Sequence, residues 1–399
     1  MNIFDHPARR MRTFVFPILS LSARRILPLL LLALCASPAL AQLQPAAVLT
    51  GTVVDDSTGT PLAGVHVFIA SSMIGTTTDG EGLYRLEKVP LGAQRLYVSI
   101  IGFDPQARDI LLRESKSYTF DFRLAEAVSE LGEITVEAKG DKRWARRLER
   151  FTSLFIGETP NAAQTKIVNP EVLDFADKGG TLLAFAGEIL EIENRALGYR
   201  VQYFLKDFAA EPNRTRYDGE PLFQELTPAD EAEAALWEEN RRKAFYGSTR
   251  HFFLAVLSGR HKEHGFETFQ RAKPAGAAGQ GTFSSSGNGM DSRIPFDAAS
   301  MLKPTDNPNE KTLEFEGAIE IAFKGEMEDE SFAKWQQQYG AMGGKRNDRL
   351  QRSLIWQEDG PTIIDQKGDI LNPYGVTVSG YFAFERIADE LPKEYRPSR

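Results

Sequence analysis

Between Val48 and Leu124 the chain is cut into short, alternating apolar runs by turn residues, and this feature constrains the fold more than any other. LTGTVVD alternates and runs into the turn cluster DSTGTPLAG. In VHVFI, Val65, Val67 and Ile69 share one face, as the two-residue period of a strand requires. TTTDGEGLYRL places Asp79-Gly80 between two strands, a hairpin signal, because that dipeptide accepts the positive φ angles of tight turns. RLYVSIIGF, ILLRE and YTFDFRL follow, the last alternating Tyr118, Phe120, Phe122 and Leu124. Seven short strands, with turns roughly every 8–12 residues, predict an all-β sandwich over 46–125.

The turn and core residues of this stretch have structural jobs. Gly64 and Gly80 serve tight turns, Pro61 presets a turn φ, and Gly102 lets the chain turn after a strand. Tyr84 and Val98 point into a core, whereas His66 falls on an outward position. The run from Gly51 to Phe103, GTVVDDSTGTPLAGVHVFIASSMIGTTTDGEGLYRLEKVPLGAQRLYVSIIGF, resembles the carboxypeptidase-regulatory-like domain. Gly51, Pro61, Gly64, Asp79, Gly80, Tyr84 and Gly102 carry the signature. The resemblance implies a seven-stranded transthyretin/Ig-like sandwich of the kind appended to zinc carboxypeptidases and to TonB-dependent receptors. None of these residues does chemistry, so no activity comes with it. LGEITVEAK resembles the segment that follows this domain in TonB-dependent receptors, which makes Leu131, Glu133 and Val136 candidate partner contacts. The sequence beyond it lacks a plug or barrel pattern, against a receptor role.

The first 41 residues read as an export signal. Arg9, Arg10, Arg12, Arg24 and Arg25 precede an apolar run from Ile26 to Cys35, and Ala39-Leu40-Ala41 is a small-x-small cleavage signal before Gln42. The apolar run is shorter than the ~20 residues that span a bilayer. Cys35 is the single cysteine, so cleavage after Ala41 would leave neither disulfides nor thiol chemistry. Cleavage also removes five Arg and one Asp from a chain of net charge −8, leaving −12. So acidic a chain does not suit nucleic acid.

After the sandwich, 126–157 reads as a linker with a basic amphipathic helix. Trp144, Leu148, Phe151 and Phe155 line one face, and Lys142, Arg143, Arg146, Arg147 and Arg150 the other. Packing of Trp144, Leu148 and Phe151 on a domain, with the arginines in solvent, is expected, and peripheral contact with the outer membrane is the functional alternative. Residues 158–399 are expected to form a mixed α+β, β-rich C-terminal domain. Its strand-like stretches are TLLAFAGEILEIEN, ALGYRVQYFLKDF, GFETFQR, KTLEFEGAIEIAFKG, SLIWQE, PTIID and GVTVSGYFAFERI. Thr227-Pro228 opens a helix, with a bend at Gly247-Ser248 and an end near Gly259. The Gly/Ala/Ser-rich 272–292 reads as a mobile inserted loop. Glu239–Phe253, Val378–Tyr395 and Val168–Phe175 are similar to stretches of an exported family that pairs the sandwich with such a region. That resemblance implies architecture and no activity.

No complete catalytic site emerges, and no cofactor is expected. His264 and Glu267 form an H-x-x-E like the paired ligands of zinc carboxypeptidases, but His264 is the last histidine, so the third ligand is missing. His251, His261, His264 and Glu267 remain candidates for a different zinc site, since two His and a carboxylate can suffice. The alternative is a solvated polar turn. FSSSGNG lacks the nucleophile elbow of serine hydrolases. Pairs such as Glu314/Glu316 alternate as exposed strand residues do. The sequence therefore predicts a non-enzymatic exported envelope protein, with a docking or spacer sandwich and a C-terminal binding or scaffold domain. Its partner would be an envelope protein or glycan. A metal-dependent hydrolase and an accessory of a TonB-dependent receptor are the rivals.

Overall fold

The computed structural model describes residues 45–127, 141–212, 214–271, 294–339 and 349–397. The export signal, the Leu131–Val136 contacts and the 272–292 loop lie outside them.

The sandwich has eight strands in two sheets. In order they are β1 (Ala46–Asp55), β2 (His66–Ile69), β3 (Gly75–Thr77), β4 (Leu83–Pro90), β5 (Gly92–Ser99), β6 (Gln106–Leu112), β7 (Ser117–Thr119) and β8 (Phe122–Leu124). One sheet has the order β4-β1-β7, with β8 also on β1, and the other β3-β2-β5-β6. The eighth strand arises because YTFDFRL is not continuous. Its Phe120 carbonyl crosses Gly51, where a Cβ would lie 1.9 Å from that oxygen. Only glycine allows this approach. Asp121 then accepts from the Thr52 amide at 2.8 Å. Leu49, Val53, Val67, Leu96, Val98 and Leu124 fill the space between the sheets. Tyr84 joins them and donates its hydroxyl to the Phe120 carbonyl at 2.7 Å.

The Asp79-Gly80 turn differs from expectation. Asp79 accepts from the Glu81 and Leu83 amides, and the positive φ falls on Gly82, at 73°, not on Gly80. A side-chain-capped turn has replaced the two-residue hairpin. Gly64 and Gly102 do take positive φ.

The helix Lys142–Phe155 packs on the domain that follows, as its apolar face requires. Asp141 caps it, accepting from the Arg143 and Trp144 amides, and Phe151 and Phe155 are fully buried in the second core. They pack on a six-stranded sheet of β9 (Thr165–Ile167), β10 (Leu173–Lys178), β11 (Thr181–Ala186), β12 (Leu190–Asn194), β13 (Tyr199–Ala210) and β14 (Thr215–Glu225), in the order β10-β11-β13-β12-β9 with β14 on β13. Strand β14 escaped the sequence reading because YDGEP interrupts its alternation; its long pairing with β13 supplies the order that local pattern lacks.

The following helix starts at Asp230, which caps Glu231–Phe245, rather than at Thr227. Gly247 (φ 82°) ends this run, and Ser248 caps a separate helix, Thr249–Leu257. Phe252 and Phe253 carry it into a third core with Phe266, Ile319, Ile321 and Ile355. Around this core lie β15 (Phe266–Arg271), β16 (Ile294–Pro295), β17 (Leu302–Pro304), β18 (Glu310–Leu313), β19 (Ala318–Met327), β20 (Leu350–Trp356), β21 (Thr362–Asp365) and β22 (Thr377–Gly380). They form sheets ordered β16-β15-β19-β20-β22 and β17-β18-β21. The helix Glu330–Tyr339 follows β19. Strand β22 stops at Gly380 (φ 74°), and YFAF turns into a short buried helix instead of continuing the strand.

Candidate binding cleft

The sandwich and the second region meet along β2, β5 and the turn after β2. Phe68 and Tyr97 leave the sandwich core on the opposite face of their sheet and close on Phe204 of β13. His66, placed outward by its strand position, is half-buried there, edge-on to Phe204 at 5.5 Å. The backbone takes part too. Ser71, at a positive φ of 57°, donates to the Pro221 carbonyl, and Phe223 donates to the Ser72 carbonyl, each at 2.9 Å. Arg95 pairs with Glu220 at 3.0 Å, and Lys367 donates to Gln94 Oε1 at 2.6 Å.

The C-terminal segment straps this junction. After the buried helix Tyr381–Phe384, Ala388 donates to the Ile156 carbonyl and accepts from Asn194. Asp389 accepts from Thr159 Oγ1 at 2.9 Å and Asn161 Nδ2 at 2.9 Å. Lys393 then donates its amide to the Ser71 carbonyl at 2.8 Å, reaching the sandwich. Arg250 holds the strap from the other side, donating to the Pro392 carbonyl at 3.0 Å and to that of Lys393.

Two adjoining cavities, of about 340 and 440 Å³, open beside the strap and share Ser71, Tyr217, Asp369, Glu390 and Lys393 in their walls. Together they make one cleft, lined by polar and apolar groups alike, along β14. The smaller cavity is walled by β5 and β6 of the sandwich, through Gln94, Arg95 and Asp109. The larger is walled by the starts of the Thr249–Leu257 helix and of β22, through Ser248, Arg250 and Thr377.

Its ionisable groups are displaced by burial. Burial, then the neighbouring Asp369, pushes Glu390 up to about 7. It likewise raises Asp389 to about 6 against the hydrogen bonds from Asn161 and Thr159, and lifts Glu385 well above the carboxylate range. Beside the cleft, burial and the Lys393 charge pull Lys367 down to about 8. Burial works against the Lys393 ammonium as well, but Asp369, 2.8 Å away, and Asp365 outweigh it and raise its pKa. Displaced groups gathered in a cleft make it a candidate functional site.

The zinc candidates lie elsewhere. His251 Nε2 is 3.1 Å from His264 Nδ1, while Glu267 is engaged by Lys324 at 2.8 Å. His261 is buried apart, 3.8 Å from Asp297. His251 Nδ1 accepts from the Gly247 amide, so its neutral ring carries the proton on Nε2 and donates it to His264. That leaves Nε2 without a lone pair for a metal. Burial and His264 hold the His251 pKa down, at about 4. Among the described residues no three His, Cys, Asp or Glu side chains converge as a metal would need.

The cleft residues were not read from sequence as a site. Two of the stretches noted for their family likeness, Glu239–Phe253 and Val378–Tyr395, meet at the cleft through Arg250 and Lys393. The usable signal was charge embedded in an apolar run, FAFERIADELPKEY, which a solvated tail does not need.

Residues 49–136 match the CarboxypepD_reg-like domain family, so the first domain of the chain is a CarboxypepD_reg-like β-sandwich, a non-catalytic regulatory class. Among solved structures the chain is similar to the 5-hydroxyisourate hydrolase of Klebsiella pneumoniae, at 21% identity and TM-score 0.17, covering 21% of this chain and 92% of that one. It is similar to the minor pilin GBS52 of Streptococcus agalactiae at 18% identity and TM-score 0.19, covering 22% and 48%. The major pilin subunit BcpA of Bacillus cereus is similar at 11% identity and TM-score 0.17, covering 21% and 30%. This chain thus spans less than half the length of either pilin. No curated protein matches it.

Proposed function

We propose that this is an exported, non-enzymatic binding protein of the cell envelope, in which the sandwich docks on the β-rich region and the cleft between them takes the ligand. The observation that carries the reading is the shared wall. Arg95 and Gln94 of the sandwich and Asp369 and Lys393 of the second region line one continuous space. A spacer would hang free on its linker, whereas this sandwich is fixed by backbone hydrogen bonds at Ser71 and Ser72. A preformed concavity with few convergent polar groups suits a glycan or the end of an envelope protein. The basic run at the N-terminus and the cleavage signal before Gln42 support export.

Two experiments test it. Fractionation should recover the chain from the envelope with Gln42 as its first residue; recovery from the cytosol with Met1 intact would contradict export. Titration of the purified protein with envelope glycans and peptides should show saturable binding that Thr377→Trp abolishes while the far-UV spectrum is kept. Equal affinity in that variant, or turnover of the bound compound, would overturn the binding reading.

A further inference from the structure

The larger cavity has a chemical bias that the binding reading leaves open. The chain as a whole is acidic, with a net charge of −8, yet Arg216, Arg250 and Arg386 all line this one space. Their guanidinium groups are not consumed by carboxylates. Arg250 spends its Nη atoms on two backbone carbonyls, and its Nε is buried without a hydrogen-bond partner. Arg216 Nε is buried without one as well, and its contact with Glu211, at 3.7 Å, is too long for a hydrogen bond. Arg216 stacks over Tyr374 at 5.8 Å and Arg386 over Tyr217 at 5.9 Å, so aromatic faces orient both. Phe223, Phe245 and Phe382 line the same cavity and give it apolar surface.

The carboxyls of the same cavity offset this charge only in part. Asp369 is held by Lys393, and Asp389 already accepts from Thr159 and Asn161. Glu385 and Glu390 are displaced toward their neutral forms by burial.

Building on the binding reading, we infer that the larger cavity binds a small amphipathic anion, with its carboxylate or phosphate head on Arg216 and Arg386 and its apolar body against Phe223, Phe245 and Phe382. Guanidinium forks suit either head, because both present paired oxygens to parallel N–H donors. The head takes guanidinium donors that no carboxylate holds, and the body displaces water from the aromatic side chains.

Calorimetric titration of the full chain with hexyl phosphate, hexanoate, inorganic phosphate, hexanol and hexylammonium tests this. Saturable binding is expected for hexyl phosphate or hexanoate, the tighter of the two identifying the head. Inorganic phosphate should bind at least about tenfold more weakly, and hexanol and hexylammonium weaker still. Arg216→Gln should weaken the preferred anion about tenfold or more, while Arg260→Gln, an exposed arginine remote from the cavity, leaves it unchanged. If Arg216→Gln fails to fold, Arg386→Gln provides the same comparison. Hexanol or hexylammonium binding as tightly as the anions, and lost in Thr377→Trp, would sink the anion assignment and leave the cleft reading standing. No saturable binding by either anion would also overturn the inference, and with glycans and peptides equally silent the cleft reading falls too.

Discussion

Phe68 of the sandwich stacks on Phe204 of the six-stranded sheet, with ring centroids 4.7 Å apart and planes inclined by 29°. Both rings are buried, and Tyr97 and His66 pack on Phe204 as well. Phe204→Ala should therefore lower stability by about 3 kcal/mol or more and loosen the junction first. Hydrogen exchange should accelerate at the Ser71 and Phe223 amides, which donate across it, while amides between β1 and β4 keep their protection. Unchanged exchange at Ser71 and Phe223 would show that the aromatic contact does not hold the two parts together.

The strap should give the protein a pH dependence opposite to that of ordinary ion-paired carboxylates. Glu390 and Asp389 titrate higher in the folded chain than in the unfolded one, so the folded state holds more protons between about pH 4 and 7. Their contribution is fully present below the unfolded carboxylate range and fades as pH rises through about 6 to 7. Glu390→Gln keeps the neutral shape and should raise Tm at pH 8 while changing it little at pH 5. Thermal unfolding at the two pH values checks this; an equal shift at both would contradict it.

Glu320 is buried between Arg271 Nε, at 2.8 Å, and Arg352 Nη1, at 2.9 Å, on adjacent antiparallel strands. Removing one member of a buried charged group leaves the others without compensation, at a cost of about 3–5 kcal/mol. Glu320→Ala should lower the denaturation midpoint accordingly, and a loss below about 1 kcal/mol would mean that water replaces the carboxylate.

His251 should stay neutral through the physiological range. Its ring is buried, and its folded pKa lies at about 4, below the unfolded value. Its contribution to stability is thus present above about pH 6.5 and is lost as pH falls toward 4. Ring resonances followed by NMR should show no titration between pH 5.5 and 7.5. A midpoint above 6 would contradict the burial that holds this ring neutral.

How much of this was legible in the sequence depends on range. The sandwich was, because Val65, Val67 and Ile69 alternate and Gly51, Gly64 and Tyr84 hold positions set by nearby turns and partners. The helix Lys142–Phe155 was legible as a helix with a face to pack on a domain, but its apolar face says nothing of which sheet covers it. The cleft was not legible. Lys393 meets Ser71 across more than 300 residues, and the meaning of Glu390 depends on burial that tertiary packing alone creates. The histidines show the complementary limit: His261 and His264 are close in sequence, but His264 meets His251 while His261 is buried beside Asp297.

A rigidly docked sandwich is what makes the cleft one space, and its fixity can be measured as a distance. With the single cysteine replaced as Cys35→Ser, spin labels at Arg85→Cys on the sandwich and Ala235→Cys on the Glu231–Phe245 helix occupy exposed positions of regular elements. Pulsed electron double resonance should give one narrow distance distribution for the pair. A broad or multi-peaked distribution would mean that the sandwich swings on its connector, and the shared cleft would not exist in solution.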